Sequence, residues 1–276
     1  MNNKISVIIP VYNSSSTLDE CLKSVFNNKC EKEVIIVSDN SLDDSVNIAK
    51  KYNCKIVELT ENKGPANARN VGASHSECDI LFFIDSDVII KDSALSIIRD
   101  NFLDLETNVI QGIYSNEPNY SNLTTQYQQS FYSYYTFNES KEYISTLVTC
   151  CFAIKKEIFF ELKGFNINIK NATSEDEEFG FNLIEKGYNI KIFKEINVYH
   201  KVDYNLRKFI FRNFRMYNET MKSFLRKKTL ILPLEFVILK SQTHNFRPPA
   251  APKDCFALGN HHFFRLRRAV FFSDFV

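Results

Sequence analysis

The chain has 276 residues, of which 44% are hydrophobic and 24% are charged, a composition ordinary for a soluble globular protein with a sizeable core. It contains no run of 18 apolar residues, which excludes an obvious membrane-spanning helix. The net charge of +1 is unevenly distributed, because the segment 206–228 has eight Lys or Arg residues against one Glu and the body before it is acidic. This asymmetry indicates an anionic partner surface, either a membrane or a nucleic acid.

The first third of the chain alternates between short β-branched runs and helical patterns. Thr17 and Glu20 fit a capping box at the start of the first helix, and Pro65 suits the first position of the third. This alternation predicts an α/β fold with a mostly parallel sheet flanked by helices on both faces. The predicted strands are 5–12, 33–39, 55–59 and 80–88, and the predicted helices are 14–28, 43–52 and 64–74.

After about residue 105 the alternation becomes less regular. A strand and a helix ending at Gly164 are predicted within 148–165, and a helix closed by Gly187, then a strand, within 174–193. We therefore divide the chain into a first half (1–105), a second half of the same domain (106–205), a basic helical segment (206–240) and an atypical tail without an assigned function (241–276).

The seven cysteines are odd in number, and they include no C-x-x-C pair and no zinc-like spacing. No basic region or small-residue cleavage site accompanies the apolar N-terminal run, so no secretory signal is predicted. We therefore expect free thiols in a cytoplasmic protein.

Two carboxylates, Asp85 and Asp87, end the apolar strand "LFFIDSDV". Ligands of parallel sheets bind at the carboxyl ends of the strands, and residues two apart on an extended strand point to the same side. Such a pair can hold Mg²⁺ or Mn²⁺, which would then bridge phosphate groups. The alternative is a strand followed by a solvated acidic turn, because D-x-D is a short and common pattern.

Polar residues also follow the other strands of the first half. Pro10 ends the first strand, Asp39 ends the second, and Gly64 and Arg69 follow the third. Their convergence on one edge predicts a nucleotide site, although each of them is also ordinary turn chemistry. The chain has neither G-x-G-x-x-G after its first strand nor a P-loop, which disfavours a nicotinamide dehydrogenase and a P-loop NTPase.

Four segments occur in an order and spacing that resemble the inverting family 2 glycosyltransferases: "ISVIIPVYNSSSTLDECLKSV", "EVIIVSDNSLDDS", "ENKGPANARNVGA" and "ILFFIDSDV". The segment 164–200, with its Glu-Asp pair and downstream His, is similar to the acceptor side of that family. The resemblance covers about residues 4–215. It implies the GT-A fold, with a nucleotide-sugar-binding half (1–105, the donor half) and an acceptor and catalytic half (106–205, the acceptor half).

The resemblance also implies roles for individual residues. Asp176 corresponds to the catalytic base, Asp87 to the ligand of the metal that bridges the diphosphate, and His200 to a metal or diphosphate contact. Asp85 would face the ribose or, through water, the metal. The expected substrate-binding residues are Pro10, Tyr12, Asn13, Asp39, Lys63, Arg69, Asn70, Asp85 and Glu175.

Asp39 would bind the nucleotide base, which in this family is commonly uracil. The chain reads Ser38-Asp39-Asn40-Ser41 where the family often has Asp-Asp-Gly-Ser, so the identity of the base is less well defined. Asn40 can adopt the turn conformation that the usual glycine adopts.

The acidic run "SEDEE" at 174–178 suits a base independently of the resemblance, because crowded carboxylates raise one another's pKa. Two alternatives stand beside these assignments. The acidic run also fits a solvated helix N-terminus, and His200 also fits a packed or surface histidine.

The expected reaction is transfer of a hexose with inversion from a nucleotide-diphosphate sugar, UDP-linked by expectation, to a hydroxyl acceptor. A divalent cation, Mn²⁺ or Mg²⁺, would assist departure of the diphosphate. The resemblance places the reaction in synthesis of cell-surface polysaccharide or glycolipid, with a saccharide or lipid-linked acceptor. The alternative is a non-catalytic sugar-nucleotide-binding or scaffold protein on the same fold.

The basic helical segment alternates Lys and Arg with Phe and Leu at helical spacing. One interpretation is peripheral docking on the anionic inner face of the membrane, and the other is a helix packed on the enzyme with a solvated basic face. We expect no nucleic-acid partner, because no recognisable nucleic-acid-binding module accompanies the basic residues.

Overall fold

The computed structural model of the protein describes residues 4–115, 122–128, 143–144, 147–169, 175–202 and 205–214. Its strands are β1 (Ile5–Val11), β2 (Lys32–Ser38), β3 (Lys55–Glu58), β4 (Ile80–Ile84), β5 (Val88–Ile90), β6 (Val109–Tyr114), β7 (Tyr143–Ile144), β8 (Cys151–Lys155) and β9 (Ile190–His200). Its helices are α1 (Leu18–Asn27), α2 (Ser45–Ala49), α3 (Pro65–Ser74), α4 (Ala94–Asn101), α5 (123–128), α6 (Lys156–Glu161), α7 (Glu175–Glu185) and α8 (206–214).

All of these strands belong to one sheet with the order β3-β2-β1-β4-β8-β6-β9-β5, and β7 pairs with β9 beside this path. The pairs among the first four strands, β1 with β2, β1 with β4 and β2 with β3, are parallel as predicted. The sheet becomes mixed where β8 enters antiparallel between β4 and β6. The predicted α/β sheet flanked by helices is therefore confirmed, and strands from both halves of the chain build it.

The predicted strand 80–88 is wrong in its last residues. β4 ends at Ile84, and the Val88 N–H donates to the Asp85 carbonyl at 3.1 Å, which closes a turn. The chain then starts β5, which pairs antiparallel with β9 so that Val88 lies opposite His200. Asp85 and Asp87 consequently lie in a turn, and the extended-strand spacing used to place them on one side does not apply.

The predictions of a capping box at the start of α1 and of a strand end at Pro10 were also wrong. Thr17 makes no side-chain cap on α1, and Glu20 forms an ion pair with Lys201 instead of completing a capping box. Pro10 does not end β1, because it remains in register with Val37 of β2, whereas the ladder with β4 stops at Ile8. The proline therefore lies beyond the part of β1 that has ladder partners on both sides.

The ends of α2, α3 and α7 show how local chemistry determines where a helix begins or ends. α2 is shorter than predicted at both ends: it begins at Ser45, whose backbone N–H donates to the Asp43 carboxylate at 3.1 Å, and it ends at Ala49. α3 starts with Pro65 at its first turn, as predicted. Gly187 ends α7 with φ +86°, the left-handed conformation expected of a residue that closes a helix.

The core lies on both faces of the sheet, since neighbouring residues of each strand point to opposite sides. Phe82 packs on one face together with α1 and α4, and Phe83 packs on the other. The second face contains an aromatic cluster in which Phe83 contacts Phe152, Phe159 and Phe165 at ring-centre distances of 4.8, 5.2 and 5.8 Å. This cluster joins β4 to β8, α6 and the residues that follow α6.

The six cysteines in the described part of the chain are free, as predicted, and Cys150 and Cys151 are buried. No helix within the described ranges is long and apolar enough to span a membrane. Residues 215–276, which include most of the basic helical segment and the whole tail, lie outside the described residues. The predicted division into halves at residue 105 remains a prediction.

We expect Phe159→Ala to lower the free energy of unfolding by about 3–5 kcal/mol, because it empties the centre of the aromatic cluster. The matched control is Phe160→Ala, one residue further on α6, where the side chain is 44% exposed and the loss should stay below about 1 kcal/mol. Urea unfolding followed by circular dichroism measures both. Equal losses for the two variants would contradict the placement of the cluster.

Candidate functional site

The loops that follow the first four strands contact one another at the carboxyl edge of the sheet. Asn13, after β1, accepts the Leu42 N–H of the loop after β2 at 2.8 Å. Ser14 donates its N–H to Ser45 Oγ at 2.9 Å, and its own Oγ accepts the Ser86 hydroxyl at 2.8 Å. The convergence predicted from the strand ends is therefore confirmed, and Ser86 links the loops that follow β1 and β4.

Asp39, at the end of β2, holds the loop that follows β3. Its two carboxylate oxygens accept the N–H groups of Lys63 and Gly64 at 2.9 and 2.8 Å, and the side chain is buried. The next residue, Asn40, has φ +59°, the conformation that glycine usually supplies at this turn. In the structure, Asp39 therefore holds the backbone at the start of α3 in place.

Arg69 of α3 lies between two carboxylates from different parts of the chain. Its Nη2 donates to Asp85 Oδ1 at 2.7 Å and its Nη1 donates to Glu175 Oε1 at 3.0 Å. The Arg69 and Glu175 side chains are only 3% and 2% exposed. Burial opposes the charged guanidinium, but the adjacent Asp85 and Glu175 carboxylates outweigh it and raise the pKa of Arg69.

Asp176 follows Glu175 at the start of α7 and is half-buried. Desolvation, reinforced by the neighbouring Glu175 and Glu177 carboxylates, raises the pKa of Asp176 well above its ordinary value, and Arg69 partly opposes this shift. A carboxyl group with a raised pKa can accept a proton near neutral pH more effectively than an ordinary one.

Asp87 and His200 meet where β5 lies beside the end of β9. The distance from Asp87 Oδ1 to His200 Nε2 is 3.2 Å, and the His200 ring is 5.6 Å from the ring of Tyr114. The Lys201 N–H donates to the Asp87 carbonyl at 2.7 Å and holds the residue before β5 beside the end of β9. Although burial favours a neutral carboxyl, His200 lowers the pKa of Asp87, and Arg212 of α8 adds a smaller effect of the same sign.

The chemistry of this pair fits a divalent cation, since a carboxylate oxygen and an imidazole nitrogen, both common metal ligands, lie 3.2 Å apart. Among the residues that the structure describes, no group of three or more His, Cys, Asp or Glu side chains could hold a metal ion. Mg²⁺ and similar ions are commonly bound by one or two carboxylates plus substrate phosphates, so two protein ligands suffice when a diphosphate provides others.

The structure therefore separates the predicted site residues into groups. Arg69, Asp85 and Glu175 lie together, with Asp176 adjacent, and Asp87 and His200 form a second pair. Tyr12 is 52% exposed, and Lys63 forms an exposed ion pair with Glu61.

Asn70 binds the backbone of Phe165 through both ends of its amide, at 2.8 and 2.9 Å. Phe165 was not among the predicted site residues, yet its ring centre lies 5.8 Å from the Arg69 guanidinium carbon. The Gly164 that precedes it, with φ +67°, was the available signal.

Comparison with known proteins gives a consistent set of similarities. The sequence profile described as glycosyl transferase family 2 matches residues 6–162. A poly(ribitol-phosphate) beta-glucosyltransferase of Bacillus spizizenii is 35% identical over 123 residues, which are 40% of this chain and 19% of that protein. The chain thus spans about a fifth of the length of this relative.

Two solved structures share the fold. TarS 1-349 of S. aureus in complex with UDP-GlcNAc has a TM-score of 0.58 and 22% identity, over 73% of this chain and 59% of that one. The mannosyltransferase PcManGT from Pyrobaculum calidifontis, in complex with GDP-Man and Mn²⁺, has a TM-score of 0.58 and 16% identity, over 88% and 76%. The predicted GT-A type fold is confirmed by these similarities.

We expect Asp87→Asn to weaken Mn²⁺ binding about 10-fold or more in the presence of UDP, because the amide removes an anionic ligand. Titration of free Mn²⁺ by electron paramagnetic resonance measures this directly. Asp92→Asn, an exposed carboxylate just after β5, is the matched control and should bind Mn²⁺ like the wild type. Unchanged Mn²⁺ binding by Asp87→Asn would exclude Asp87 as a ligand.

Proposed function

The chain belongs to glycosyl transferase family 2, and on that premise we propose that it transfers a hexose from a nucleotide-diphosphate sugar to a hydroxyl acceptor with inversion. The observation that carries the proposal is the meeting of Asp85, at the end of β4, with Glu175 and Asp176, at the start of α7, around Arg69. One polar site thus contains residues from the donor half and from the acceptor half, as transfer between two substrates requires.

The proposed step begins with the acceptor hydroxyl beside Asp176. The hydroxyl oxygen forms a bond to the anomeric carbon of the sugar, and its proton passes to the Asp176 carboxylate. The bond between the anomeric carbon and the diphosphate oxygen breaks on the opposite face, and its electron pair leaves with the diphosphate. Attack opposite to the leaving group inverts the anomeric carbon.

The leaving diphosphate accumulates negative charge, so the site needs positive charge on that side. Asp87 and His200 would hold a Mn²⁺ or Mg²⁺ ion, which when bound neutralises the departing diphosphate. Arg212 of α8 adds positive charge near Asp87. Asp87 and His200 lie where β5 pairs with the end of β9, whereas Asp176 lies at the start of α7, so in our proposal the diphosphate leaves beside the first pair and the acceptor hydroxyl approaches from Asp176.

We propose UDP-linked sugars as the donor class, supported by the UDP-GlcNAc complex of the similar TarS structure. The GDP-Man complex of the second similar structure makes GDP-linked sugars the first comparison. Asp39 would contact the base, although its carboxylate already accepts two backbone N–H groups, because each oxygen has a further lone pair. The acceptor class that we propose is a cell-surface saccharide or polyol phosphate, and the name of the Bacillus relative, a poly(ribitol-phosphate) beta-glucosyltransferase, supports the polyol phosphate.

We expect wild-type protein with Mn²⁺ to release nucleoside diphosphate from at least one member of a panel of UDP- and GDP-sugars. Asp176→Asn should lower kcat about 10²–10⁴-fold with little change in donor affinity, the range typical for loss of a general base. Glu185→Gln, an exposed carboxylate on the same helix, is the control. Tight nucleotide binding without release for every donor would instead support a non-catalytic binding or scaffold protein.

The pH dependence provides a second test of the same assignment. The base acts only when it is deprotonated, so kcat/KM should fall on the acid side as Asp176 becomes protonated. Because the pKa of Asp176 is raised, this fall should occur well above the ordinary aspartate value of about 4. A profile of kcat/KM between pH 4 and 9 measures it, and a flat profile down to about pH 5 would contradict the assignment.

We further propose that α8 and the basic residues after it bind an anionic membrane surface, which would bring a lipid-linked acceptor to the site. Leu206, Ile210, Phe211 and Phe214 of α8 are exposed, whereas Phe209 is buried beside Tyr127. Arg207 and Lys208 are exposed on the same helix. Exposed apolar side chains next to basic residues match the surface of an interfacial helix.

We expect the protein to co-sediment with vesicles of phosphatidylcholine and phosphatidylglycerol, and to be released as salt increases, because screening weakens the attraction to anionic lipid. The double variant Phe211→Ser/Phe214→Ser should bind at least several-fold more weakly. Leu103→Ser/Leu105→Ser removes two exposed leucines elsewhere and is the matched control. Binding that is absent, or equal with and without phosphatidylglycerol, would refute membrane docking.

A further inference from the structure

Arg69 and Asn70, neighbours on α3, both contact the acceptor half of the chain. Arg69 binds Glu175 while it also binds Asp85, and Asn70 binds the backbone of Phe165. We propose that Arg69 is a positioning residue that ties the turn after β4 to the first turn of α7 and thereby sets the place of the base Asp176 relative to the donor. This inference rests on the proposed function and changes the role predicted for Arg69, which was direct substrate binding.

The contacts of Arg69 indicate that it connects two protein segments and does not bind substrate directly. Both terminal nitrogens of its guanidinium are directed at protein carboxylates, and its side chain is 3% exposed. The ring of Phe165 lies beside the guanidinium at 5.8 Å, within the range of a cation–π contact. A lysine would present one compact charge and lacks the planar fork that reaches two carboxylates at once.

Asn70 supports the same arrangement from the next position. Its Oδ1 accepts the Phe165 N–H and its Nδ2 donates to the Phe165 carbonyl, so residue 165 is held by both backbone groups. A Cβ on Gly164 would lie 2.5 Å from Asn70 Oδ1, so the chain can approach α3 this closely only with glycine there. Asn70 therefore holds Phe165 beside Arg69.

The position of Arg69 has an electrostatic consequence for the base. The charged groups facing Asp176 are Glu175 and Glu177 on its own helix and Arg69 from α3. Removal of the guanidinium would leave the buried Glu175 carboxylate without its cation, and its charge would then act on Asp176 with less compensation. Arg69 thus holds Asp176 in place and also limits the rise of its pKa.

The test compares Arg69→Met, which keeps length but removes the charge, with Arg69→Lys and with the control Arg99→Met on α4. We expect Arg69→Met to lower kcat about 10²-fold, as for a misplaced reacting group, with the donor KM changed less than about 3-fold. The acid limb of its kcat/KM profile should move to higher pH. Arg69→Lys should restore the acid limb but only part of kcat, and Arg99→Met should match the wild type.

A rise in donor KM with unchanged kcat would show that Arg69 binds the donor directly and would overturn the proposal. An unmoved acid limb with reduced kcat would overturn it as well, because a purely structural defect leaves the base's titration unchanged. If Arg69→Met does not fold, Arg69→Met/Glu175→Gln removes both buried charges together. This double variant should keep the acid limb of the wild type but have a lower kcat. A wild-type kcat would overturn the positioning role of Arg69.

A measurement without turnover separates this inference from the proposed function. In protein labelled with ¹³C at the aspartate carboxyl groups, the Asp176 signal is identified as the one lost in Asp176→Asn. Its titration should shift upward in Arg69→Met whether or not any donor sugar is cleaved. An unshifted titration refutes the role of Arg69, whereas a shifted titration in a protein that cleaves no donor refutes only the proposed transferase activity.

Discussion

The buried guanidinium of Arg69 is the interaction on which the site depends. A charge removed from water is tolerated only when it is paired, and loss of one partner of a buried pair costs about 3–5 kcal/mol. Arg69 therefore requires the carboxylates of both Asp85 and Glu175 at hydrogen-bond distance. Because these carboxylates belong to the end of β4 and the start of α7, one electrostatic requirement fixes these two elements against each other.

The turn between β4 and β5 assigns different partners to two carboxylates that look equivalent in sequence. Asp85 remains at the end of the parallel part of the sheet, where it faces Arg69. Asp87 lies next to β5, whose antiparallel pairing with β9 places it beside His200. The apolar half of "LFFIDSDV" is buried because it crosses the middle of the sheet, and its acidic half can be polar because it lies beyond the strand end.

Much of the fold followed from periodicity and turn chemistry. The β-branched runs became the first four strands, Leu18, Cys21, Leu22 and Val25 became the buried face of α1, and Gly187 closed α7. The errors occurred where a long-range partner displaced a local one. Glu20 was predicted to cap its own helix, but it pairs with Lys201, 181 residues further along the chain.

For the site, the residue types and their approximate edge of the sheet could be predicted, since acids after buried strands must leave the core at the strand ends. Local pattern could not predict which carboxylate Arg69 would bind, that Asn70 would hold Phe165, or that Asp87 would meet His200. Those pairings depend on β8 entering between β4 and β6 and on β5 joining β9. Such an order follows from the packing of segments about a hundred residues apart, so only the assembled sheet decided which side chains share the site.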